Sequence, residues 1–257
     1  MVEQKLRKLH TQSIGQRLCI INTILRNFQK KIENKFESEV ITILTCKLGN
    51  EIINCYDGTH DKEQLKKWAE KKILLCPVCN KPYEYCHGKI KTPYFRHMEK
   101  MSCDYQYNEP ETEEHLKGKR DLFEWIKKQP NVKNAVLEGW IPETKQRPDI
   151  MFEYKNKQYV IEYQCSPIAT EYTERHELYK AVGIHDIWIC GTQKYLQQNM
   201  RKKFLENVAY AFYSSENQIV FPIEHNHLFG RTCLIKNELR VNHNYFYGLS
   251  LGEFSFD

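Results

Sequence analysis

The sequence predicts an α/β protein with a mixed central sheet, and three observations carry that prediction. From residue 112 onward the periodicity runs helix, three strands, helix, strand, helix. Two β-rich runs within that stretch are joined by the tight polar turn Lys155-Asn156-Lys157, as in a hairpin. The chain has 257 residues with 41% apolar and 28% charged side chains, ordinary for a globular protein with one large core or two modest ones.

Residues 1–38 read as one helix. Leu18, Ile21, Leu25, Phe28 and Ile32 recur at spacings of three and four and form a stripe, with Arg17, Arg26, Lys30 and Lys31 mostly off it. Such a helix either packs on its own domain or makes a coiled-coil contact with a second chain, giving a homodimer. Residues 39–75 follow as a small module. Val40 to Cys46 and Glu51 to Asn54 are β-rich, Gly49-Asn50 between them suggests a hairpin, and Asp61 to Lys72 has helical spacing with Leu65 and Trp68 inward.

Residues 76–105 hold the cysteine cluster. Cys76-Pro-Val-Cys79 is a knuckle in which two thiolates converge on one ion while backbone amides support the sulfurs. Cys86, His87, His97 and Cys103 are the candidates for the remaining ligands. His97 and Cys103 are favoured, because they lie beyond a segment long enough to fold back and because adjacent Cys86 and His87 are sterically awkward on one metal. Four protein ligands make the expected zinc site structural. Buried thiols without a metal are the plainer alternative. No secretion signal accompanies these cysteines, which argues against disulfides and for a cytoplasmic location. Nor does any stretch approach the roughly 18 apolar residues a bilayer crossing needs.

Residues 106–214 form the expected catalytic core. Thr112 is a good N-cap for a helix to about Lys128, with Glu113 and Glu114 in its first turn. A strand at Ala135–Trp140, a hairpin over Pro148–Gln164, a helix at Glu171–Val182, a strand at Ile184–Cys190 and a helix over Thr192–Phe212 complete it. The aromatic-rich stretch at 215–257 reads as a β appendage.

The chemistry concentrates in the hairpin. A loop centred near Lys155 and Asn156 pairs Asp149 with Glu162, and a loop shifted by one residue on each strand pairs Asp149 with Gln164. Either register puts Asp149, Glu162 and Gln164 on one face. Two acids among Ile, Met, Phe, Val and Tyr are expensive to bury without a cation, and Mg2+ or Mn2+ would relieve that expense and activate water. A hairpin whose polar residues simply face solvent is the alternative.

Asp, a turn and then Glu-x-Lys, here Asp149 followed by Glu162-Tyr-Gln164, resembles the PD-(D/E)XK nuclease core. Thr112-Glu-Glu-His115 with Lys119 looks like the E-H-x-x-x-K helix of the competence protein CoiA family. Tyr94-Phe-Arg-His97 is similar to its H-F-x-H segment, and Ile161-Glu-Tyr-Gln-Cys-Ser166, Glu174-Arg-His-x-x-Tyr179 and Ile187-Trp-Ile189 follow in that family's order. The resemblance implies a metal-dependent nuclease acting on single- or double-stranded DNA in DNA processing or recombination. It implies metal ligation by Asp149 and Glu162, with Glu114 completing the shell.

Arg147, His115 and Lys119 are then candidates to contact phosphate, His115 and Lys119 alternatively to tune the acids or simply to form a solvated helix face. Arg175 and Tyr179 become DNA contacts or helix packing. Gln164 departs from the pattern, since a neutral amide orients water but adds no positive field. Net charge is +5 and pI about 8.5, permissive for a polyanion and no more. A non-catalytic DNA-binding accessory protein and a restriction or phage-defence endonuclease are the competing expectations.

Overall fold

Lys155 and Asn156 both adopt positive φ, 47° and 61°, which gives a two-residue turn whose twist suits the strands it joins. That turn fixes the register of Ile150–Tyr154 (β7) against Lys157–Gln164 (β8), with Tyr154 opposite Lys157 and Ile150 opposite Ile161. In this computed structural model the described residues are 42–88, 91–98, 103, 111–166, 171–192, 209–222, 232–235, 238–241 and 244–256. All lie within the unit Ile41–Asp257. The expected helix over residues 1–38, and with it the homodimer contact, lies outside them.

The first segment is a three-stranded sheet. Thr45–Leu48 (β1) pairs antiparallel with Glu51–Asn54 (β2) across Gly49, whose φ of +62° turns the chain, and on its other edge with Leu74–Leu75 (β3). Helix Lys62–Glu70 (α1) starts at Asp61, whose side chain accepts from the Gln64 amide at 2.8 Å, and buries Leu65 and Ala69. Tyr83–Cys86 (β4) and Tyr94–His97 (β5) form an antiparallel hairpin. Backbone bridges from Ile43 to Phe95 and from Leu75 to Pro82 tie that hairpin to the first sheet.

Helix Glu113–Ile126 (α2) opens at Thr112, whose hydroxyl accepts from the His115 amide. Val132–Leu137 (β6) pairs antiparallel with β7. After helix Glu171–Ala181 (α3), His185–Gly191 (β9) runs parallel to β8. Ala209–Ser214 (β10) runs parallel to β9, with a register shift between Ala209 and Ala211. Ile219–Pro222 (β11) and Leu249–Ser250 (β15) add antiparallel at the far edge. The seven-stranded order is therefore β15-β11-β10-β9-β8-β7-β6, a mixed sheet with three parallel strands at its centre. Between β11 and β15, strands Thr232–Ile235 (β12), Glu238–Val241 (β13) and Asn244–Tyr247 (β14) form their own antiparallel sheet.

Two expectations are corrected. Residues 209–214 are a strand, not the end of a helix, because Ala-Tyr-Ala-Phe-Tyr alternates small and aromatic residues with the period of a pleat; residues 193–208 lie outside the described set. The tail is also more than an appendage. β11 and β15 complete the main sheet, Leu251 and Phe254 are buried, and Trp125 Nε1 donates to the Phe254 carbonyl at 2.8 Å.

Alternation sorts the sheet's two faces. Ile150, Phe152, Ile161 and Tyr163 share a hydrophobic cluster with Leu116, Leu122, Phe123 and Ile126 of α2, and the same cluster continues into Ile43, Leu44, Tyr83 and Phe95. One apolar core thus runs through both the first segment and the main sheet. On the opposite face Val160, Tyr179 and Ile141 make a smaller cluster with Met151 and Ile184.

Candidate metal centre and acidic cleft

Continuing the β7–β8 register one residue past Ile150↔Ile161 sets Asp149 opposite Glu162. Glu162 alternates with Ile161 and Tyr163, so its carboxylate turns to the α3 face. There Arg175 and Tyr179, one helical turn apart, both donate to its Oε1. The Arg175 guanidinium also lies over the Trp188 ring, 5.3 Å from its centroid. Burial pushes the Glu162 pKa up to about 7; the nearby Asp149 charge adds to this, and Arg175 and Tyr179 oppose it. Arg175 and Tyr179, read from sequence as DNA contacts or helix packing, are held here as donors to Glu162.

Asp149 sits just before β7, outside the paired ladder, and meets α2, so the two carboxylates bond to different helices and do not share one set of partners as the expected common face implied. His115 Nε2 is 3.1 Å from its Oδ2, and the Tyr163 amide donates to the same oxygen at 2.8 Å. Burial works against its charge, but His115, Lys119 and the Tyr163 amide outweigh it and hold Asp149 well below the usual carboxylate range. His115 shifts reciprocally. Burial draws its pKa down, Asp149 and Glu111 draw it up, and the net shift is upward.

Glu111 was not anticipated. It lies four residues before His115, with Oε1 3.6 Å from His115 Nδ1. Ligand atoms of Glu111, His115 and Asp149 all fall within 4.8 Å of one another, a group able to hold a metal ion, and the expected ligands Glu162 and Glu114 are not in that group. Its signal in the sequence was the i to i+4 spacing to His115 across the Thr112 cap. Glu111, Thr112, His115, Tyr163, Gln164, Cys165 and Ser166 line a small cleft. Gln164 is at its wall, with Nε2 donating to the Ser166 carbonyl at 2.6 Å. Glu114 is placed elsewhere: a Cβ built on Gly191 would meet Glu114 Oε1 at 2.8 Å and Cys165 Sγ at 2.7 Å, so its carboxylate lies over β9.

Two expected phosphate contacts are buried in protein. Lys119 is fully buried, with Nζ 2.6 Å from both Glu111 and Glu138 and 3.7 Å from Asp149. Its role toward the acids is therefore the one the geometry permits. Arg147 is 5% exposed and donates to the Glu138 carbonyl, the Glu138 carboxylate and Thr45 Oγ1. Glu138, a second residue that the sequence pattern did not single out, accepts from both cations. A lone Glu after a strand carries no spacing signal, and only the fold brings its partners to it.

Cys76, Cys79, His97 and Cys103 form a second group of potential metal ligands, again within 4.8 Å of one another. Cys76 follows β3, Cys79 closes the knuckle and His97 ends β5. The Cys76 and Cys103 sulfurs are 3.8 Å apart, Cys79 Sγ is 3.2 Å from His97 Nε2, and the Val78 amide points to Cys76 Sγ at 3.4 Å. Cys86 and His87 are not in the group. The His87 ring stacks on Tyr85 instead.

Comparison with known proteins assigns the chain to a family. The family model described as Competence protein CoiA, nuclease-like domain, matches residues 111–242, and that described as Competence protein CoiA, N-terminal domain, matches residues 58–106. The Competence protein CoiA of Bacillus subtilis (strain 168) is 36% identical over 135 residues, which are 52% of this chain and 34% of that protein. The chain thus aligns with about a third of its relative's length. No solved structure matches. With more than half of its length matched by the family's two domain models, in order, the chain belongs to the competence protein CoiA family.

Proposed function

We propose that this protein is a Mg2+- or Mn2+-dependent nuclease that hydrolyses phosphodiester bonds of DNA, on a PD-(D/E)XK-like core, with zinc in the Cys76–Cys79–His97–Cys103 cluster. One observation carries the reading. Asp149, just before β7, and Glu162, on β8, are both buried and electrostatically coupled: Asp149 bonds to His115 of α2 and is held ionised, while Glu162 bonds to Arg175 and Tyr179 of α3 and resists ionisation partly because of Asp149. A divalent cation bound near both would offset the desolvation penalty and the mutual repulsion. The nuclease-like match over residues 111–242 supports the same reading.

Asp149 and Glu162 would hold the ion, with Glu111 and His115 near enough to Asp149 to extend the donor set. When bound, the ion supplies Lewis acidity to the phosphate and lowers the pKa of water. The chain's own groups do the rest. His115 and the Tyr163 amide orient Asp149, Arg175 and Tyr179 orient Glu162, and the Gln164 amide at the cleft wall positions water by hydrogen bonding.

The zinc assignment is supported by donor chemistry, since three thiolates and an imidazole suit a closed tetrahedral site that holds a small segment together. A role in DNA processing or recombination goes with the competence name of the relative. Among the described residues no helix is long and apolar enough to cross a membrane.

Gln164 favours a second reading, a DNA-binding module that does not cut, because the positive field of a lysine is missing at that position. Linear, nicked and single-stranded DNA incubated with and without Mn2+ or Mg2+, beside an Asp149→Ala/Glu162→Ala variant, separates the two. Divalent-dependent cutting lost in the variant supports the nuclease. Equal binding by both proteins with no cutting by either supports the module.

A further inference from the structure

We propose that Glu138 is a positioning residue of this site: it holds the Lys119 ammonium off Asp149 and so keeps Asp149 open to a divalent cation. The inference rests on the metal-dependent reading above for what that cation does.

Glu138 follows β6 in a left-handed conformation, φ +54°, and its backbone amide donates to the Asp149 carbonyl at 2.8 Å. Its buried carboxylate collects five donor groups. The Leu44 amide donates at 2.9 Å, the Thr45 amide at 2.9 Å, the Thr45 hydroxyl at 2.7 Å, Lys119 Nζ at 2.6 Å and Arg147 Nη2 at 3.2 Å. Those contacts pin Lys119 by contrast of distance. Its ammonium is 2.6 Å from Glu138 and from Glu111 but 3.7 Å from Asp149 Oδ1. Without the Glu138 charge, the ammonium is left to Glu111 and Asp149, and an ammonium bonded to Asp149 competes with any metal ion for that carboxylate.

The anchor comes from outside the nuclease-like segment. Leu44 and Thr45 precede both matched regions, residues 58–106 and 111–242. Residues before the cysteine cluster therefore complete the acidic site, and the nuclease-like segment alone is missing three of the donors that fix Glu138.

The test uses the full chain, as wild type, Glu138→Gln and Thr45→Val, with Mn2+ titrated as the probe and free Mn2+ read by electron paramagnetic resonance. Glu138→Gln is expected to weaken Mn2+ binding about tenfold and Thr45→Val about two- to threefold. In DNA cleavage the Mn2+ concentration for half-activation rises to match, while KM for DNA stays put. Amide hydrogen exchange provides a readout that needs no metal. Because the Tyr163 amide donates to Asp149, its exchange quickens when Lys119 draws that carboxylate away.

Unchanged Mn2+ affinity in a folded Glu138→Gln variant overturns the proposal. Should that variant fail to fold, Thr45→Val decides in the same way. If the wild type binds no Mn2+ outside the cysteine cluster, the metal-dependent reading is what fails. Tyr163 exchange then decides the position of Lys119: faster in the variants supports it, unchanged overturns it.

Discussion

The Tyr179 hydroxyl donates to the Glu162 carboxylate across the interface between α3 and the sheet, in a pocket from which both side chains are almost wholly excluded from solvent. The bond joins β8 to α3, two segments whose motifs follow one another in the family resemblance. It also makes Glu162 a buried acid whose protonation is set by its neighbours.

The stability of the metal-free protein therefore depends on pH through Glu162. Its pKa is about 7 folded, against an ordinary 4.5. Between those values the folded state binds the proton and the unfolded state does not, so this group's contribution is fully present below the lower value and is lost as pH rises through the upper one. Urea unfolding from about pH 5 to about pH 8 should show wild type losing about 2–3 kcal/mol relative to Glu162→Gln. Parallel profiles for the two proteins would mean that Glu162 is ionised throughout.

Tyr179→Phe removes a donor that stabilises the charged form. The Glu162 midpoint should rise further, and stability at neutral pH should fall by about 1–2 kcal/mol. Carbon-13 titration of the carboxyl resonance measures the first and denaturant unfolding the second. A midpoint that falls would show that the phenol favours the neutral acid.

How much of this was legible in the sequence follows from the range of each interaction. The β7–β8 hairpin was readable because Lys155-Asn156 is a local turn signal and pleat alternation does the rest. The Cys76, Cys79, His97 and Cys103 grouping was readable because thiol and imidazole spacing is itself a signal. Glu138 was not: its partners Leu44, Thr45 and Lys119 lie far from it in sequence and meet it only in the folded chain. Lys119 and Arg147 looked like phosphate contacts because a basic side chain carries no mark of whether it will be buried among acids. The strand at Ala209–Ser214 was read as helix because short alternating apolar runs are ambiguous between the two periods.

At Gly118, α2 packs directly against the Tyr163 side chain of β8. A Cβ there would fall 2.1 Å from the Tyr163 ring, which stacks against His115 and whose hydroxyl donates to the Tyr213 carbonyl at 3.0 Å. In an exposed helix, Gly to Ala is worth about 1 kcal/mol in favour of the fold. Here overpacking should reverse the sign and destabilise by about 1–3 kcal/mol. Because Tyr163 also presents its amide to Asp149, the variant should lose Mn2+ affinity as well. A stabilised Gly118→Ala protein would refute the close approach.

The two groups of potential metal ligands predict different responses to substitution and chelation. Cys76→Ser removes a potential ligand from a cluster in which Cys76 follows β3 and His97 ends β5, strands tied to β1 and Ile43 by backbone pairing. The wild type should carry about one zinc per chain, Cys76→Ser should lose it, and Cys86→Ser should keep it, because Cys86 lies outside the group. Zinc loss should lower the thermal midpoint, since binding free energy at such a site is folding free energy. Asp149→Ala should leave the zinc content unchanged while abolishing Mn2+ binding at the acidic cleft. Equal zinc in wild type and Cys76→Ser would remove Cys76 from the ligand set, and zinc lost from Asp149→Ala would mean that the acidic cleft, and not the cysteines, holds it.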